Sequence, residues 1–138
     1  MIPVRPQLPL ILLAASSAAV PLLAHHSVAA KFDKSVTLSL RGVVSRIEWM
    51  NPHARFWLDT TEDNGPTTWE FELPAPNALV RVRNQGLQRD FIKVGDQITV
   101  MLWRAKDGSR VAHALSLTLP SGQTVEFPRE WGPMARTQ

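Results

Sequence analysis

The stretch 36–49, VTLSLRGVVSRIEW, alternates apolar and polar residues, and a period of two is the mark of an extended strand with one face buried. Leu38 and Leu40 share one face. After Gly42 the phase slips by one, so that Val43, Ile47 and Trp49 continue it. A glycine at a slip of phase predicts a β-bulge that bends a long first strand. A turn at Asn51-Pro52 follows. The next strand, ARFWLDTT (54–61), sets Ala54, Phe56 and Leu58 on one side and Arg55, Trp57 and Asp59 on the other. EDNGP is a hairpin turn. It leads into TTWEFEL, where Trp69, Phe71 and Leu73 point inward and Glu70 and Glu72 form an outward, solvated pair.

The period then changes. APNALVRVRNQG (75–86) predicts a short helix with Asn77 as its N-cap and Gly86 as its stop. Strands return at QITVMLWRA (97–105) and, after the KDGS turn, at VAHALSLTL (111–119), with a last short piece at QTVEF (123–127). The order β-β-β-α-β-β with a long, bent first strand is that of an OB-fold. The expectation is an all-β domain with one short helix, an OB-like five- to six-stranded antiparallel barrel over residues 25–127. An irregular tail over 128–138 follows.

Residues 1–24 read differently. Arg5 gives a short basic start, and Leu8 to Ala24 is a charge-free run rich in Leu and Ala, broken by Pro9 and Pro21. It is shorter than the roughly 20 residues a spanning helix needs, and it has the pattern of a cleaved secretory signal peptide. Cleavage after Ala24 makes His25 the mature terminus; Ser17-Ala18-Ala19 offers a second cut that leaves Val20 first. The expected address is the periplasm or the exterior, with no transmembrane segment after signal removal. The chain has no cysteine, which excludes disulfides, thiolate metal sites and cysteine nucleophiles. Its 15 Lys and Arg against 12 Asp and Glu are interspersed, which argues against a nucleic-acid partner. No G-x-S-x-G, H-E-x-x-H or P-loop pattern is present, so the expectation is a protein that is not an enzyme.

Three ordered motifs carry a resemblance: HHSVAAKFD at 25–33, EWMNPHARFWLD at 48–59, and the run VGDQITV…KDGSR…ALSLTLPSGQTV. Together they resemble a bacterial family of small exported proteins of unknown function, whose members begin His-His-Ser and carry Asn-Pro-His-Ala after the first strand. The resemblance implies the domain boundary and cleavage after Ala24. It implies no activity.

Two candidate sites follow from residue chemistry. Of the four histidines, His25 and His26 are adjacent at the expected mature terminus. A terminal amine and an imidazole on one residue chelate a metal ion. His26 and His53 would complete a nitrogen-rich site suited to copper, with Met50 as a nearby thioether for Cu(I). The bland alternative is a processed end, with His53 fixing its own loop. The second site is a stacking face for a small ligand or a protein partner, made of Arg55, Trp57 and Trp103 on the side of their strands away from the core. Its alternative is that these tryptophans pack under the helix or the tail. His113 shares a phase with Val111, Leu115, Leu117 and Leu119, which reads as a core or barrel-mouth histidine.

Overall fold

Two neighbours share one long strand. In the computed structural model, which describes residues 28–79 and 90–130, β1 (Leu38–Glu48) pairs through Leu38–Val43 with β4 (Gln97–Arg104). Through Val43–Glu48 it pairs with β2 (Arg55–Glu62). β2 continues by a hairpin into β3 (Gly65–Glu72), and β4 by another into β5 (Val111–Thr118). All these pairings are antiparallel. Closure comes from β3 and β5, which run parallel through the pairs Glu70–Val111, Phe71–Ala112 and Glu72–His113. The ring is therefore β1-β2-β3-β5-β4, an OB-like closed barrel of five strands. A sixth, β6 (Thr124–Glu126), is added to the far half of β5. Among the described residues two short helices complete the elements, α1 (Val28–Lys31) and α2 (Pro76–Leu79). Among the described residues no helix is long and apolar enough to cross a membrane.

The inward positions are those the alternation marks: Phe56 and Leu58 of β2, Trp69 and Phe71 of β3, Ile98, Val100 and Leu102 of β4. Phe56 and Phe71, directly opposed across the hairpin, stack with centroids 4.7 Å apart. Trp49 meets Phe91 edge-on at 5.8 Å, partly covering the core.

The first strand bends at a different residue from the one its pattern suggests. Leu40, Gly42 and Val44 stay in phase, with Val44 at 0 % exposure and Val43 turned outward at 41 %. The register against β2 slips between Val44 and Arg46, which makes Ser45 the extra residue. Gly42 serves a close approach instead. A Cβ there would lie 2.3 Å from the Asp59 carbonyl oxygen and 2.9 Å from the Leu58 side chain. β2 crosses β1 at this point, and only a residue without a side chain lets the backbones meet.

A second slip, between Met101 and Leu102 on β4, leaves Leu115 as the extra residue of β5. It splits the apolar face expected for that strand. Ala112, Ala114 and Leu117 face the barrel interior, whereas Leu115 packs elsewhere, with Val28, Phe32 and Trp103. The helix expected over 77–86 is described only as Pro76–Leu79. Its cap is Ala75, whose carbonyl accepts from Ala78 and Leu79, with Pro76 at the first helical position. Residues 80–89 lie outside the described residues.

Gly42→Ala should destabilise the fold by about 1–3 kcal/mol, the usual cost of overpacking, because neither the Asp59 backbone nor Leu58 has room to move. Urea unfolding should show a lowered midpoint for this variant and almost none for Ser45→Ala.

Candidate functional site

His53 follows the cis Asn51–Pro52 peptide in the β1–β2 loop. The next residue, Ala54, is buried and accepts from the Leu73 N–H at 2.9 Å, so the loop is pinned to the end of β3. The half-buried His53 ring hydrogen-bonds the Leu73 backbone. Since the Leu73 N–H is committed to Ala54, the acceptor is the Leu73 carbonyl, and the imidazole donates. Burial holds the His53 pKa below the usual histidine value; Glu72 and the Leu73 bond oppose the shift, and Arg55 and Lys31 add to it. The ring is neutral near pH 7, with one N–H fixed on a carbonyl. Metal-binding histidines are oriented by this kind of bond.

Glu72 is not the solvated residue its outward phase suggests. It is 5 % exposed and carries an ion pair with Lys31. The reason lies outside the sheet, in the segment that precedes β1. Val28 and Phe32, four residues apart and hence on one side of a helical turn, both bury against the outer surface of β4 and β5. Four residues of helix do not hold together alone. This turn is fastened by backbone bonds from Asp33 N–H to the Arg104 carbonyl (2.9 Å) and from Lys106 N–H to the Lys31 carbonyl (3.0 Å). The Lys106 ammonium adds a bond to the Ala29 carbonyl at 2.6 Å.

Trp103 lies beneath this segment. It is on the outer face, as its phase requires, but at 2 % exposure it offers no surface to a ligand. His113 stacks on it at 5.6 Å with an interplanar angle of 19°, and Phe32 also packs against the imidazole, tilted, at 5.6 Å. The His113 residue is 0 % exposed. Burial pushes its pKa down to about 4; a bond to the Pro128 backbone and the carboxylates of Glu130 and Glu72 work the other way, and Lys34 lowers it further. The expected core histidine is thus a buried one, held in a second, smaller core on the outside of the barrel.

Arg55 and Trp57 are half-buried on the outer face of β2. Arg55 lies 3.4 Å from Glu70, and the Arg46 guanidinium sits 4.4 Å from the Trp57 ring centroid while pairing with Glu48. The chain's own cation already occupies one face of Trp57. The stacking face of Arg55, Trp57 and Trp103 therefore loses its third member to the outer core. His25 and His26 lie outside the described residues. Among those described, no three His, Asp or Glu side chains are arranged to hold a metal ion.

Residues 13–114 match a model for a family of unknown function, DUF6152. The chain belongs to this family. The DUF6152 match runs through His25, His26 and His53 and ends within β5 at Ala114, just beyond His113, so both candidate sites and the histidine of the outer core fall inside it. No curated protein matches the chain.

The outer core went unread in the sequence. Its one local signal was Val28 and Phe32 at helical spacing. Trp103→Ala should cost about 3–5 kcal/mol, as truncation of a fully buried tryptophan does. Trp57→Ala should cost about 1–2 kcal/mol, within the common range for a partly exposed site. Paired denaturation curves measure both.

Proposed function

We propose that this member of DUF6152 is an exported, non-enzymatic binding protein that takes a copper-type cation through His25, His26 and His53. The observation that carries the reading is where the segment before β1 docks. Val28, three residues after His25, is buried in the outer core, and Lys31 reaches Glu72, whose carboxylate acts on His53. At no more than about 3.6 Å per residue, His25 is tethered within roughly 11 Å of the Val28 Cα. The segment that carries the tether is thus linked to His53 through Lys31 and Glu72.

The donor set supports the choice of ion. A terminal amine and imidazoles are borderline nitrogen ligands, for which copper outranks zinc and nickel. Met50, exposed in the same loop as His53, adds a soft sulfur suited to Cu(I). The leader-like pattern of residues 1–24 suits a protein exported to the periplasm. In this reading the protein holds the ion and performs no reaction on it. Trp57, already stacked by Arg46, is the weaker alternative as a ligand platform.

The test is native mass spectrometry of the chain exported to the periplasm of a copper-replete bacterium. The expected mass starts at His25 and includes one copper ion. One extra residue ahead of His25 should abolish retention, His53→Ala should weaken it about tenfold or more, and Trp57→Ala should leave it unchanged. A metal-free chain with an intact His25 terminus contradicts the reading, as does retention that ignores both the extra residue and His53→Ala.

A further inference from the structure

We propose that His113 is an acid-triggered release for the segment Val28–Lys34: protonating it undocks that segment, and with it the histidine-bearing arm, from a barrel that stays folded. The release rests on the outer core alone. Its consequence for copper, the regulation of the site, rests on the reading above.

The imidazole lies in a buried aromatic slot in contact with both Trp103 and Phe32, where a neutral ring packs well and a charged one is poorly solvated. The charged groups around it act in both directions: the Glu130 and Glu72 carboxylates favour the imidazolium and Lys34 disfavours it, so burial supplies the net effect. Two carboxylates face His113, Glu72 from β3 and Glu130 from the tail, and each is already paired with a lysine of the segment, Lys31 and Lys34 respectively. Lys34 and the tail residue Arg129 also sit over the Trp103 ring, at 5.3 and 5.7 Å. An imidazolium here competes with Lys31 and Lys34 for their carboxylates and repels the lysines themselves. One proton therefore weakens the aromatic packing and both ion pairs that fasten the segment.

What remains is too little to hold it. A single helical turn with a few backbone bonds at its end does not persist once its apolar face is lifted. The main core lies on the opposite face of β4 and β5, through Leu102, Ala112 and Ala114, and makes no use of the slot. Burial sets the direction of the response. His113 binds a proton near pH 4 when docked and near the ordinary 6.5 when released. The released state therefore carries more protons between these values. Docking is strongest above about pH 6.5 and weakens by up to about two orders of magnitude as the pH falls to 4.

The experiment is a pH titration of the mature, metal-free protein by amide and imidazole NMR from pH 7 to 4. The expected result is that the amides of Ala29, Ala30 and Phe32 move to unstructured positions in step with the His113 ring, while those of Phe56, Leu58 and Val100 stay dispersed. His113→Phe retains the aromatic slot and both carboxylates, and should keep the segment docked down to pH 4. If that variant does not fold, His113→Leu takes its place beside the wild-type titration. A segment that stays docked until the whole barrel unfolds overturns the proposal. So does a His113→Phe segment that leaves at the wild-type pH. Repeating the titration with one equivalent of Cu(II) separates the two readings. Release without any copper binding leaves the latch standing and removes the metal site. Copper binding without acid release of the segment does the reverse.

Discussion

β1 has to serve two neighbours in turn, and everything else in the molecule is placed by how it does so. Its first half belongs to β4 and its second to β2. The change of partner is possible because Gly42 has no Cβ where the Asp59 carbonyl passes. With β2 and β4 leaving β1 in opposite directions, the hairpins carry β3 and β5 round until they meet. That meeting sets Glu72 directly beside His113, and the β2–β3 pairing brings the β1–β2 loop, with His53, onto Leu73. One buried carboxylate thus acts on two histidines that lie 60 positions apart in sequence.

Closing the barrel leaves a problem on its outside. The outward residues of β4 and β5 include Trp103, His113 and Leu115, a surface too apolar to leave in water. The segment before β1 covers it, with Val28 and Phe32 as the apolar plugs and Lys31 and Lys34 reaching the two nearby carboxylates. This gives the N-terminal segment a fixed seat in a chain without disulfides. It also couples that seat to a histidine. The residues that hold the arm in place and the residue whose charge opposes it are the same few side chains.

The barrel was largely legible because its strands alternate. Phe56, Leu58, Trp69 and Phe71 announce an inner face, and the glycine-bearing turns announce the hairpins. The alternation says which residues share a face, but not what lies against it. Hence Trp103 read as a ligand surface and Glu72 as a solvated edge, when the cover for both comes from residues 28–34. The bulges were harder. A glycine at an apparent slip suggested Gly42, whereas the slip is at Ser45 and the glycine answers a backbone contact between strands that no local pattern records. The slip at Leu115 left no trace at all, because Leu115 and Leu117 keep the spacing of one face in sequence although they pack into different cores. For the candidate site, His53 was legible from its loop position. Its bond to Leu73 and its nearness to the docked segment depend on the closed barrel.

The central claim is that the terminal histidines and His53 hold one ion at the end of the barrel where α1 docks. The direct measurement is paramagnetic broadening of amide signals by substoichiometric Cu(II) in the mature protein near pH 7. The account predicts that His53, Ala54 and Leu73 broaden together with Val28–Lys31, at the first increments of metal, and that Arg46 and Thr124 stay sharp. Broadening confined to Val28–Lys31 would leave only a two-residue terminal site, and broadening centred anywhere else on the barrel would contradict the account.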